Sequence, residues 1–367
     1  MHKLKVQIEE QTEQIAQKEA EILSLKEAIK QAQSENRELA KLGRKDASLE
    51  KQKALLEKKQ EQLEKKRKKL AHKQAKLANK RRHGDRKDGK LIRDIDAMHY
   101  IMPLLYPNRC DNEAFISDVI DLTNLNAYID EYNKTHDGAR LSPFAVIVAA
   151  VLKTITIRDR MNRFIVNGKT YQRNEVSCSF VVKKHFNDDG EEGLAFIHAT
   201  NDDTLDTIFS KMTAQMEGIR SGAIVDDSSD AMEFFTKKLP GWFSRFLVKC
   251  ICVLDRHGMV PQSLIETDPY YSSAVLTYVG SIKLQSGYHH LTNWGTNSFF
   301  LSVGEKKLRP FYDRHGEMTM KDSIDIALTI DERLADGYYY GKTVRLLKKL
   351  IDDPSLLELP LNEPVKY

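Results

Sequence analysis

The chain of 367 residues is 41% hydrophobic and 8% aromatic with a formal net charge of +4, an average that fits neither a membrane-embedded protein nor a wholly disordered one. That average hides a division. Residues 1–49 carry 9 Lys and Arg against 9 Asp and Glu, residues 50–90 carry 17 against 6, and residues 91–367 carry 31 against 38. No Tyr, Phe or Trp occurs before residue 91, so the first quarter lacks the large apolar side chains of a compact core, whereas the rest is long enough to build one. Four cysteines (Cys110, Cys178, Cys250, Cys252) make no disulfide framework, and Cys250-x-Cys252 lacks the second Cys/His pair of a zinc site. The expectation is a cytoplasmic protein with no metal; no apolar run approaches the length needed to span a bilayer.

In chain order, Leu4, Ile8, Ile15, Ile22, Leu25, Ile29, Ala32 and Leu39 occupy one heptad seam, with Asn36 continuing the isoleucine row as a register-fixing polar residue. Past Gly43, Leu49, Leu56, Leu63, Leu70 and Leu77 still recur every seven residues, but the companion position is mostly charged. Residues 1–82 therefore read as a coiled coil followed by a basic helix, through which a protein partner is possible. The lysines carry no interleaved aromatic side chains to stack on bases, so a solvated helical face is preferred to a nucleic-acid site. Residues 83–109 are expected to be a linker.

From there strands and helices alternate. Residues 115–122 read as a strand, and 124–132 as a helix. Ser142-Pro143 supplies an N-cap and a first-turn proline for a helix to about residue 158. The pair Asn167-Gly168 joins 164–166 to 169–171 as a hairpin, because both turn residues must tolerate positive φ. Strands at 176–183 and 193–199 and a helix at 204–219 follow. The stretch 231–254 is apolar and basic, broken at Pro240-Gly241; it is expected to pack against the domain, with a surface groove or membrane contact as the alternative. Strands at 274–279, 298–303 and 324–330 and a closing helix at 339–351 complete a mixed α/β order, too irregular for a doubly wound sheet.

Three late stretches are similar to one family. Ala274-Val-Leu-Thr277-Tyr-Val-Gly280-Ser281-Ile resembles F-T-I-S-N-L-G-S-I, Ser298-Phe-Phe-Leu-Ser-Val-Gly304-Glu-Lys-Lys-Leu-Arg-Pro310 resembles A-I-L-G-V-G and its continuation, and Ala327-Leu-Thr-Ile-Asp331-Glu332-Arg333-Leu334-Ala335-Asp336-Gly337, with its helix and Asp352-Asp353-Pro354, resembles L-S-x-D-H-R-x-x-D-G, helix, E-D-P. These motifs belong to the catalytic domain of the acyltransferase component of 2-oxo-acid dehydrogenase complexes and, more distantly, to chloramphenicol acetyltransferase. The likeness runs over residues 110–357 and leaves 358–367 as a tail. It implies a chloramphenicol-acetyltransferase-like mixed sheet, a homotrimer with sites at subunit boundaries, and coenzyme A or acyl-coenzyme A as substrate. By position it implies Thr277 as the oxyanion donor, Asp336 as the structural Asp of the loop, and Glu332 where the family has its catalytic His.

That last departure matters chemically. A thiol near pKa ~8.5 lies about four units above an ordinary Glu near ~4.3, so an exposed carboxylate is a poor thiol base. His290, with neighbouring His289, and His315 are substitute candidates. No lipoyl segment is recognisable in residues 1–90. Two functions are therefore expected as alternatives: a coenzyme-A-dependent acyltransferase with an altered base, or a catalytically inactive scaffold of the same fold, a pseudoenzyme that recruits partners through its coiled coil.

Overall fold

The structure, a computed structural model, describes residues 82–183, 192–222 and 240–367, together with Lys65. The expected coiled coil lies outside these residues, as does the first part of the 231–254 stretch. The chain divides into two units, Met1–His83 and Gly84–Tyr367, and only the second is described at length.

That second unit is a mixed α/β domain. Its six-stranded sheet has the order β2-β9-β8-β7-β5-β6: β2 (Glu113–Asp121), β5 (Val176–Lys183), β6 (Glu192–Ala199), β7 (Ala274–Tyr278), β8 (Phe299–Tyr312) and β9 (Met318–Asp331). The central pairs β5/β7 and β7/β8 are parallel and the outer pairs antiparallel. Side chains alternate across the sheet. The register row Ile116, Leu328, Leu301, Leu276 lies in the main core, beside α3 (Pro143–Ile157) and α7 (Gly337–Asp352).

The helix α3 is buried on every side from Ala145 to Ile155, which explains its almost uninterrupted apolar sequence. Ser142 caps it by accepting from the Ala145 N–H at 3.3 Å, as the Ser-Pro pair predicts. Its one charged residue, Lys153, is fully buried and donates to the carbonyls of Leu356, Leu359 and Pro360 at 2.9, 3.1 and 2.8 Å. Burial pulls the Lys153 ammonium below its ordinary pKa, and the three carbonyls tie the carboxyl-terminal turn to the core. The remaining helices are α1 (Ala97–Leu105), α2 (Thr123–Thr135), α4 (Leu205–Arg220), α5 (Gly241–Arg256) and α6 (Gln262–Thr267).

A three-stranded sheet is formed by β1 (Gly89–Leu91), β4 (Lys169–Arg173) and β3 (Arg163–Val166). Its β3–β4 turn uses Asn167 and Gly168 at φ 52° and 67°, the left-handed pair expected of the hairpin.

Four expectations differ from what is found. Residues 358–367 are not a free tail, since Leu361 is buried in the main core and the carbonyls of Leu359 and Pro360 accept from Lys153. The segment 83–109 is built into the domain as β1 and α1: Arg86 is buried, bonds Asp88 at 2.8 and 3.0 Å, and reaches Asp255 Oδ1 at 3.0 Å, while Tyr271 O–H donates to the same Asp255 oxygen at 2.9 Å. A stretch rich in charge and glycine reads as a linker only while its buried ion partners, more than a hundred residues away, are unknown. Next, β8 and β9 run well past the predicted strands as a two-stranded ribbon. Beyond Val303, β8 pairs with β9 alone, so Pro310 is accommodated and both faces are solvated, which removes the apolar alternation that marks a strand. Finally, α5 packs less deeply than expected: Phe243, Leu247, Cys250, Ile251 and Cys252 are half-buried, and Asp255 is its one fully buried residue. Among the described residues, no helix is long and apolar enough to cross a membrane.

Candidate active site

The three motif stretches lie on three adjacent strands, β7, β8 and β9. Thr277 pairs in register with Ser302, and Ser302 with Ala327. Because Leu276, Leu301 and Leu328 occupy the core face, the Thr277 row falls on the opposite face, where Thr277 is partly exposed and Ser302 buried.

The loop that follows β7 is laid across this outer face. Gly287 N–H donates to Ser302 Oγ at 3.4 Å, the Tyr288 ring lies 4.9 Å from that of Phe115, and the His289 imidazole stacks on Phe300 at 4.3 Å with 6° between the planes. Leu291 N–H donates to the Glu113 carboxylate, and the Leu291 side chain is buried with Val275 and Phe300. The histidine held against the sheet is therefore His289. His289 and His290 are both exposed, with their ring centroids 5.8 Å apart, and His315 sits in the exposed turn at the far end of the β8–β9 ribbon.

Two motif glycines make room for this loop. A Cβ on Gly280 would stand 2.3 Å from the Gly304 carbonyl oxygen, and one on Gly304 would stand 2.5 Å from the Ser286 nitrogen. Both obstacles are backbone, which cannot rotate away. Gly304→Ala is expected to cost about 1–3 kcal/mol of stability, by forcing the loop off β8. Urea unfolding measures this, and a change below about 0.5 kcal/mol would show that the approach is looser than described.

At the end of β9, Asp331 is fully buried and accepts from Arg333 Nε at 2.8 Å and Nη2 at 2.6 Å. Arg333 Nη1 donates to the Tyr106 carbonyl at 2.8 Å, and the Tyr340 hydroxyl donates to the Asp331 carbonyl at 2.6 Å. Arg109 approaches Asp331 to 4.0 Å and donates to the carbonyls of Gly295 and Ile165 at 3.1 and 3.3 Å, while its own N–H donates to Asn293 Oδ1 at 2.7 Å. Burial lowers the Arg109 pKa to about 10, the Asp331 charge opposing and the Arg333 charge adding to that shift. Residues 331 and 333 therefore anchor the turn on both sides of Glu332, whose N–H donates to the Asn112 carbonyl at 3.0 Å.

Glu332 itself is exposed. It borders an open cavity of about 910 Å³ between β2 and α7, shared with Asp336, Tyr338, Arg345 and Lys348. Asp336 caps α7, accepting from the Tyr339 N–H at 2.7 Å. Lys348 is engaged with Asp118 at 2.7 Å.

Within one protomer Thr277 and Glu332 are not brought together. They stand two strands apart and five residues offset along and just past β9, which strand geometry converts to roughly 19 Å. Arg109, Asp331 and Arg333 are the site residues that sequence reasoning left without a role. For Asp331 and Arg333 the spacing i, i+2 around a turn is a usable signal; for Arg109, bonded mostly to distant carbonyls, no sequence signal exists. No group of three or more potential metal-ligating side chains occurs among the described residues.

No protein-family model matches the chain, and no curated protein sequence matches it. Solved structures that are similar to it include dihydrolipoamide acetyltransferase from Azotobacter vinelandii, at 14% identity over 74% of this chain and 95% of that one with a TM-score of 0.49. A probable dihydrolipoamide acetyltransferase from Listeria monocytogenes matches at 15% identity over 72% and 95%, with a TM-score of 0.47. Chloramphenicol acetyltransferase matches at 13% identity over 72% and 98%, with a TM-score of 0.40.

Proposed function

We propose that this chain is a coenzyme-A-dependent acyltransferase on a chloramphenicol-acetyltransferase-like plan, moving an acyl group between a thioester and a small acceptor, with a carboxylate in place of the usual imidazole. The observation that carries the reading is the placement of the three motif stretches on hydrogen-bonded neighbours β7, β8 and β9, with Thr277 on the outer sheet face and Glu332 on a turn locked by the buried Asp331–Arg333 pair. In this scheme Glu332 accepts the proton of a thiol, the thiolate attacks the thioester carbonyl, and the Thr277 hydroxyl donates to the oxygen on which negative charge develops. Collapse of the tetrahedral species expels the second thiolate, which recovers the proton. On this reading the roughly 19 Å between Thr277 and Glu332 in one protomer is bridged by a second copy, in a homotrimer with sites at its boundaries.

One observation favours a second reading. The Glu332 side chain is exposed in the protomer, where water competes for the role of proton acceptor, and this suits a catalytically silent scaffold of the same fold.

Incubation with acetyl-coenzyme A and a panel of amine, hydroxyl and thiol acceptors tests the proposal. Free thiol is expected to be released, and Thr277→Val to slow that release by about 10²–10³-fold, the usual cost of removing an oxyanion donor. Absence of release with every acceptor would favour the scaffold.

A further inference from the structure

We infer that α5 is a membrane-surface helix that lies in the plane of an anionic bilayer. Trp242, Phe246, Lys249, Val253 and Arg256 recur at helical spacing and form one stripe, with Arg245 beside it. Trp242 is 72% exposed, Phe246 56% and Val253 51%, and the three cations are exposed as well. The one carboxylate of the helix, Asp255, is buried in its ion pair with Arg86, so the outer surface presents aromatic and aliphatic groups interspersed with positive charge and no negative charge. At 16 residues the helix is about 24 Å long, too short and too charged to span a bilayer, but aromatic side chains mixed with cations on one exposed face suit a helix seated among lipid headgroups, the long basic stems reaching outward to phosphate.

Charge favours this occupant over residues 50–90 and over a second copy of the helix. Residues 50–90, with 17 Lys and Arg against 6 Asp and Glu, would bring like charge to the stripe. A second copy of α5 packed symmetrically against the first would oppose Arg245, Lys249 and Arg256 to the same residues. An anionic lipid surface complements all three cations at once.

The test uses the full chain carrying Trp294→Phe, which leaves Trp242 as the single tryptophan; Trp294 is partly buried and bonded to Asp268 Oδ2 at 2.6 Å, away from the stripe. Vesicles of phosphatidylcholine and phosphatidylglycerol at 7:3 are expected to blue-shift Trp242 emission and to expose it to quenching by brominated acyl chains, more weakly as salt rises. Arg245→Glu with Lys249→Glu is expected to reduce that partitioning by at least about 30-fold, near the effect of two surface charges. Vesicle binding without a change at Trp242 would place the contact in the basic segment and overturn the inference. A blue shift that grows with protein concentration in the absence of lipid would overturn it in favour of self-association.

Discussion

Asp331→Asn is expected to destabilise the domain by about 3–5 kcal/mol, the cost of breaking a buried ion pair by removing one partner. The substitution preserves volume, so the loss is electrostatic. Arg333, whose side chain is 1% exposed, keeps its bonds to the Tyr106 and Pro107 carbonyls but loses the anion that neutralises it, and the amide that replaces Asp331 Oδ1 or Oδ2 turns donor protons toward guanidinium donors. Arg109, at 4.0 Å from the same carboxylate, loses its nearest opposite charge as well. Glu332→Gln, one residue along but exposed, is expected to stay within about 0.5 kcal/mol of the parent. Urea midpoints of the two variants make the comparison, and a loss below 1 kcal/mol for Asp331→Asn would contradict the anchoring role given to the pair.

Glu332→His is expected to raise thiol-dependent acyl transfer by about tenfold, the gain from a general base some two pK units better matched to the thiol. The backbone at this position is fixed from both sides and by its own bond to the Asn112 carbonyl, so the exchange alters the exposed side chain and little else. An imidazole titrates near ~6.5, two units from a thiol near ~8.5, where a carboxylate in its ordinary range is about four units away. The sign of the pH dependence follows. A neutral imidazole accepts the proton, so the rate of the variant should rise with pH through about 6–7 and then level. Initial rates of coenzyme A release from pH 5.5 to 8.5 measure this. A variant no faster than its parent across that range would show that position 332 does not face the reacting thiol, and the inherited placement of the base would fall.

Much of the domain was legible before coordinates because local chemistry and tertiary role agree. The Ser142-Pro143 cap begins an almost wholly apolar helix that is in fact buried on all sides, and Asn167-Gly168 adopts the left-handed turn its residue types permit. The motif glycines also proved informative for a reason the sequence does not carry: Gly280 and Gly304 are places where backbone meets backbone. What stayed hidden depends on distant partners. Arg86 and Asp88 look like solvated linker residues until Asp255 closes over them, and the ribbon formed by the ends of β8 and β9 has no dry face to impose alternation. At the candidate site, Thr277 and Glu332 were placed by resemblance, and the structure adds that neither meets the other in one protomer. His289, rather than His290, proves to be the imidazole on the sheet, since its position depends on stacking with Phe300 across a loop that sequence alone does not fold.

Arg109 binds the carbonyls of residues 165 and 295 and stands beside Asp331, so the candidate site is sewn from segments more than two hundred positions apart along the polypeptide. Such wide separation makes closure of this knot slow and late, because the entropy of drawing in the intervening chain is spent before any bond repays it. On a ribosome, the turn bearing Glu332 would acquire its shape only after Arg333 has left the exit tunnel, and a product ended just before that residue would contain every strand of the sheet yet leave the Asp331 carboxylate without its guanidinium partner.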